Sequence, residues 1–182
     1  CGCVLEDKKR VVSAIETLYF EKKENEKYTY QIRNMEDEMM ECESLEELIF
    51  CIRQNIGKFT TEDVYLCLNK SIYYEMTGRG NSILRNRTIT RDYENKIYIT
   101  KLNNEDGMPE FNSFTSEQMF PAMWNGRGSG EYLYMPVHFR DNCLGYMILT
   151  GTLDTKHIPN YYVWIRNISN ALEKLKNVSE LR

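Results

Sequence analysis

The chain has 182 residues, 42% hydrophobic and 27% charged, with only 4 Pro; it is long enough for one domain with a sizeable core, which excludes a two-lobed enzyme and wholesale disorder. Basic residues number 23 against 27 acidic ones, a net charge of −4, which gives no electrostatic drive toward nucleic acid. The longest apolar runs, such as Met147-Ile148-Leu149, fall far below the roughly 18 residues of a membrane span.

The sequence starts at Cys1 rather than Met. An excised segment is the first reading of that start, and a lipoprotein terminus acylated on Cys1 is the second. The six cysteines, Cys1, Cys3, Cys42, Cys51, Cys67 and Cys143, lack the spacing of a disulfide framework, so a reducing compartment such as the cytoplasm is expected. Cys1 and Cys3 form the only near pair for zinc, with His138 and His157 distant in sequence, so neither a metal nor a cofactor is expected.

Residues 1–60 carry 9 basic and 13 acidic side chains, which places the whole net charge in the first third. There Val11, Ile15 and Leu18 step by four and three, the seam of a helix. Glu21 to Lys27 interrupts the pattern with no apolar residue, and Tyr28, Ile32, Met35, Met39 and Cys42 resume it out of phase. Either the helix breaks near residue 24 or its seam shifts by an irregularity of the stammer kind. Seven acids between Glu36 and Glu47, with no base among them, read as a solvated face rather than a docking patch.

Ser44-Leu45-Glu46-Glu47 is a helix-start box, followed by Leu45, Leu48, Ile49, Ile52 and Ile56 on one face and by Gly57 as a stop. Val64-Tyr65-Leu66-Cys67-Leu68, apolar on both faces, predicts a central strand. Gly78 to Arg91 shows no period, Lys96 to Leu102 predicts a strand, and 103–112 is turn-rich. Thr115-Ser116-Glu117-Gln118 offers another helix start, cut short by Pro121. Alternation from Tyr132 to Phe139, a turn at Arg140-Asp141-Asn142 and the run Cys143 to Leu149 predict a hairpin, with Pro136 at an edge or bulge. Tyr161, Ile165, Ile168, Leu172 and Leu175 predict a long final helix, with Ala171 and Val178 beside the seam.

The capped helix leading into Val64–Leu68, and above all the hairpin Tyr134-Met135-Pro136-Val137 with Leu144-Gly145-Tyr146-Met147-Ile148-Leu149 followed by a helix, resemble a GAF domain over roughly residues 44–178. The resemblance implies an α+β fold: a central antiparallel sheet of five or six strands, the first and last helices together on one face, and a small-molecule pocket on the other. Residues 1–43 would be a helical extension and 44–182 the sensor domain. The end helices then look like signalling helices that pair in a homodimer, as in bacterial proteins where such a sensor precedes a diguanylate cyclase (GGDEF) output. Neither that motif nor a DNA-binding helix-turn-helix can be read in this chain.

Candidate chemistry is weaker than candidate sensing. The glycines of Gly126-Arg127-Gly128-Ser129-Gly130 precede a strand, whereas a phosphate cradle needs them to open a helix. Arg79, Arg85, Arg87 and Arg91 could hold an anion, but a solvated loop explains them equally. Asp154-Thr155-Lys156 lacks a second acidic metal ligand. His138 and Cys143 suggest a Cys–His pair, and free methionine sulfoxide reductases are enzymes of the GAF fold, but Cys67 and Cys143 do not reproduce the closely spaced cysteines of that group. Enzymatic activity and pure dimerisation without a ligand are therefore the alternatives to a non-catalytic sensor. The expected ligand-facing residues are Tyr65, Cys67, Tyr98, Phe120, Trp124, Tyr132 and Tyr134, because aromatic walls with a few polar tips hold small molecules.

Overall fold

The computed structural model describes residues 2–58, 60, 63–79, 91–103, 109–118, 131–151 and 158–180, with the side chains of 2–5, 7, 158, 159 and 180 outside that set. It is an α+β fold with helices at both ends of a five-stranded antiparallel sheet. In chain order come α1 (Gly2–Glu41), α2 (Leu45–Ile56), β1 (Asp63–Asn69), α3 (Lys70–Met76), β2 (Lys96–Lys101), β3 (Asn112–Thr115), a short 3-10 turn (Ser116–Gln118), β4 (Glu131–Phe139), β5 (Asn142–Gly151) and α4 (Ile158–Glu180). The strand order is β3-β2-β1-β5-β4. β1 is thus central, which is why Val64 to Leu68 carries apolar side chains toward both faces.

α1 runs without a break for 40 residues, about 60 Å at 1.5 Å per residue. Of the two alternatives open in the sequence, the shifted seam holds and the break does not. Ile32, Met35, Met39 and Cys42 are buried against α2 and α4, whereas Val11, Ile15 and Leu18 are 58%, 59% and 64% exposed. At 100° per residue the two stripes lie roughly 100° apart around the helix. The phase change therefore marks where the helix stops serving the domain core and begins to present a different face.

Helix α2 starts as its sequence requires. Ser44 is the N-cap: its Oγ accepts a hydrogen bond from the Glu47 backbone N–H at 3.2 Å, while the Glu47 carboxylate accepts from the backbone N–H of Glu43 at 2.8 Å, one residue earlier than the usual box. Leu45, Leu48, Ile49, Ile52 and Ile56 are all buried, and the helix stops at Gly57 in a right-handed conformation, without the left-handed cap glycine often supplies.

The sheet divides two cores. On the helical side Val64, Leu66, Leu68, Met135, Val137, Leu144, Met147 and Leu149 pack with α1, α2 and α4. On the other side Tyr65, Cys67, Ile97, Ile99, Phe114, Tyr146 and Ile148 form a smaller cluster, flanked by Tyr134. In the β4–β5 hairpin Val137 pairs with Gly145 but His138 pairs with Cys143, which leaves Leu144 as the extra residue of a bulge. That bulge interrupts the alternation of β5, so that Leu144 joins Met147 and Leu149 in the helical-side core, and Gly145 at φ +153° lies against β1. Pro136 sits on the edge strand immediately before the irregularity, where its missing N–H costs no central ladder bond.

Two elements lie outside the sequence expectations. Asn112–Thr115 is a strand between the turn-rich stretch expected up to 112 and the helix start expected at Thr115, and Lys70–Met76 is a helix directly continuing β1. The helix start expected at Thr115 amounts to the 3-10 turn Ser116–Gln118. In α4 the expected seam is buried in full, together with Trp164 beside it.

Candidate functional site

The sheet face turned away from the end helices carries a cavity of about 120 Å³ lined by Tyr93, Ser116, Tyr134, Pro136 and Tyr146. Strands supply its floor: Pro136 and Tyr146 are paired across β4 and β5, and Cys67 on β1 pairs with Tyr146 from the other side. Cys67 is fully buried in the same cluster as Tyr146 on this face. The Tyr93 and Tyr146 rings meet edge to face, 5.2 Å between centroids at 81°, and Tyr134 lies 6.1 Å from Tyr146 at 47°. Three rings thus bound one small space from different directions.

Tyr93 reaches this position through a buried asparagine. Asn69, fully inaccessible at the end of β1, donates through Nδ2 to the carbonyls of Cys143 at 2.9 Å and Asp92 at 3.2 Å, and its Oδ1 accepts from the Glu94 N–H at 3.1 Å. The Glu94 carboxylate in turn accepts from the Ser71 N–H at 2.9 Å. Both neighbours of Tyr93 are therefore held to the sheet, one bond strengthened by charge.

Burial, then the Cys67 thiol, pushes the Tyr146 phenol far above its ordinary range. Burial, then Tyr132, raises Tyr134, and burial, then Cys143, raises Tyr93. All three remain neutral phenols at neutral pH. The thiols are equally unreactive: burial drives Cys67 well up, and Cys143 is raised by burial as well. At the α1–α2 junction the Cys42 thiol donates to the Glu38 carbonyl at 3.4 Å and the Cys51 thiol to the Glu38 carboxylate at 3.9 Å, and burial raises both, Cys51 to about 12 with Cys42 and Glu38 adding to the shift. Nucleophilic sulfur needs the thiolate, which these surroundings disfavour.

Of the seven expected ligand-facing residues, Tyr134 lines the cavity, and buried Cys67 pairs across the strands with the lining residue Tyr146 without lining it. Tyr65 and Tyr132 share that face outside the cavity: the Tyr65 hydroxyl donates to Asp63 at 3.3 Å, and Tyr132 is exposed 6.5 Å from Tyr134. Tyr98 is on the opposite face, stacked on Tyr73 at 4.1 Å and donating to the Tyr74 hydroxyl at 2.8 Å. Phe120 and Trp124 lie outside the described residues, as do Gly126–Gly130, Arg85, Arg87, Asp154–Lys156 and His157. Arg79 packs over the Tyr73 ring at 5.6 Å, and His138 is exposed on the edge strand opposite buried Cys143. Among the described residues no group of three or more His, Cys, Asp or Glu could hold a metal.

Sequence reading missed Tyr93, Ser116, Pro136 and Tyr146 as pocket residues. Pro136 and Tyr146 stood inside the hairpin motif, where the pairing of one with the other was the available signal. Tyr93 had no local signal, because a side chain 24 residues away in the chain positions it. A larger concavity of about 560 Å³ runs along α1 from Leu18 to Arg33, but all its described walls belong to that one helix, so it encloses nothing.

No family model, curated protein or solved structure gives a significant match to this chain. Among the described residues no helix is long and apolar enough to cross a membrane.

Proposed function

We propose that the chain is a GAF-like, non-catalytic sensory module of a bacterial signalling protein, acting in the cytoplasm as a homodimer and controlling an output such as a diguanylate cyclase through its end helices. The observation that carries the reading is the continuity of α1. One unbroken helix joins a stripe packed on the domain, Ile32, Met35 and Met39, to an exposed apolar stripe, Val11, Ile15 and Leu18. Helices in proteins owe most of their stability to packing of an apolar face, and a second copy of the same stripe supplies that packing. Glu36 of α1 accepts from Asn167 of α4 at 3.1 Å, and Lys174 of α4 donates to the Met40 and Cys42 carbonyls. The two end helices are thereby coupled to each other at the edge of the sensor.

In this reading a ligand on the far face of the sheet acts by the difference in its affinity for two packings of those helices. The Cys42–Cys51 thiol pair suits a reducing compartment. The balance of charge supports neither nucleic acid nor a membrane as partner. The cysteine-dependent enzyme is the weaker alternative, because burial holds Cys67 and Cys143 protonated.

Sedimentation of the full chain at micromolar concentration tests the dimer. The expected species is a dimer that becomes monomeric when Ile15→Glu and Leu18→Glu are combined; a wild-type chain that sediments as a monomer throughout overturns the signalling mechanism.

A further inference from the structure

We propose that the Tyr93–Tyr134–Tyr146 corner is an aromatic cage for a compact organic cation of the methylated-ammonium class, an inference that rests on the reading of this cavity as the sensor's ligand site. Size is the first argument. About 120 Å³ is well under the roughly 300 Å³ at which pockets begin to enclose drug-sized molecules, so the site admits a small head group rather than a nucleotide or a haem.

The walls are the second argument. Three ring systems meet around the space, two of them edge to face at 81°. Ring faces carry negative quadrupole charge, and several faces around one point attract a cation whose methyl groups also bury apolar surface. The wall is also preorganised. Asn69 holds the two peptides that bracket Tyr93, donating through Nδ2 to the Asp92 carbonyl and accepting at Oδ1 from the Glu94 N–H, while a second Nδ2 bond to the Cys143 carbonyl anchors it to β5, so the cage wall is set before any ligand arrives. An anion would meet the negative faces of the rings, whereas a cation meets complementary charge there.

Calorimetric titration of the full chain with choline chloride, tetramethylammonium chloride and 3,3-dimethylbutan-1-ol, the uncharged isostere of choline, tests the assignment. Choline is expected to bind at least about tenfold more tightly than the isostere. Tyr93→Leu should weaken choline binding by about tenfold while Tyr93→Phe retains it, with circular dichroism checking that each variant is folded. Equal binding of the neutral isostere overturns the cationic class but leaves a working ligand site and hence the sensor reading. Failure of both cations to bind the folded wild-type chain overturns the cage; if a metabolite panel also leaves the melting temperature unchanged, the sensor reading falls with it. Folded Tyr93→Leu that binds choline like wild type likewise overturns the cage.

Discussion

A Cβ on Gly145 would collide with the Cys67 carbonyl oxygen and stand 3.0 Å from the Leu68 Cα, and the residue's φ of +153° is one that L side chains rarely adopt. Backbone cannot yield as a flexible side chain can. Gly145→Ala should destabilise the fold by about 3 kcal/mol or more, read as a lower urea midpoint with no change in slope. Ionisation gives a second expectation at this scale. Burial, then the hydrogen bond to Tyr74, raises Tyr98 to about 12, and Tyr93, Tyr134 and Tyr146 are raised too; Tyr74, lowered first by that same bond, opposes them in part. An unfolded phenol titrates near 10, so above that pH the folded chain holds protons that the unfolded chain has lost. Stability contributed by these phenols is complete below about pH 10 and declines as pH rises toward 12, and the thiol of Cys51, raised from 9.0 to about 12, starts the decline a unit earlier. Urea midpoints at pH 8, 9, 10 and 11 should show a plateau followed by a fall; a midpoint that rises across this range would contradict the buried, neutral phenols.

At the scale of the element, α1 is two helices in function and one in geometry. Its second half is core: Met35 and Met39 are 1% exposed, and Met35→Ala should cost about 2 to 4 kcal/mol through lost burial and the cavity left behind. Its first half makes no such contribution, so Leu18→Ala should change the stability of the monomer by less than about 0.5 kcal/mol. Denaturation of both variants, at concentrations low enough to dissociate a dimer, separates the two halves; equal losses would mean that the first seam is also domain core. The out-of-phase seams were visible in the sequence as a conflict, because a single face cannot serve two directions roughly 100° apart. What covers each seam is a tertiary fact. The same contrast holds for the hairpin. Its alternation, turn and edge proline were local patterns, but the bulge at Leu144 depends on how Gly145 meets β1, a contact made between strands more than 70 residues apart in sequence.

Across the whole molecule, the sheet separates a large helix-covered core from a smaller one on its other face. Helices α1, α2 and α4 share one large core with the inner strand faces, while Tyr65, Tyr134 and Tyr146 pack with Cys67, Ile97, Ile99, Phe114 and Ile148 on the other side. Apolar periodicity, the Ser44 cap and the turn at Arg140-Asp141 by themselves determined the capped helix, the central strand, the hairpin and the final helix, since each depends on neighbours a few residues apart. Only tertiary structure decided that α1 is continuous, that Tyr98 turns toward α3 rather than toward Tyr65, and that Tyr93 closes the cavity. The physical reason is that alternation along a strand names two faces without saying which one a helix will cover, and a loop residue such as Tyr93 is placed by hydrogen bonds from a distant asparagine that leave no period to read.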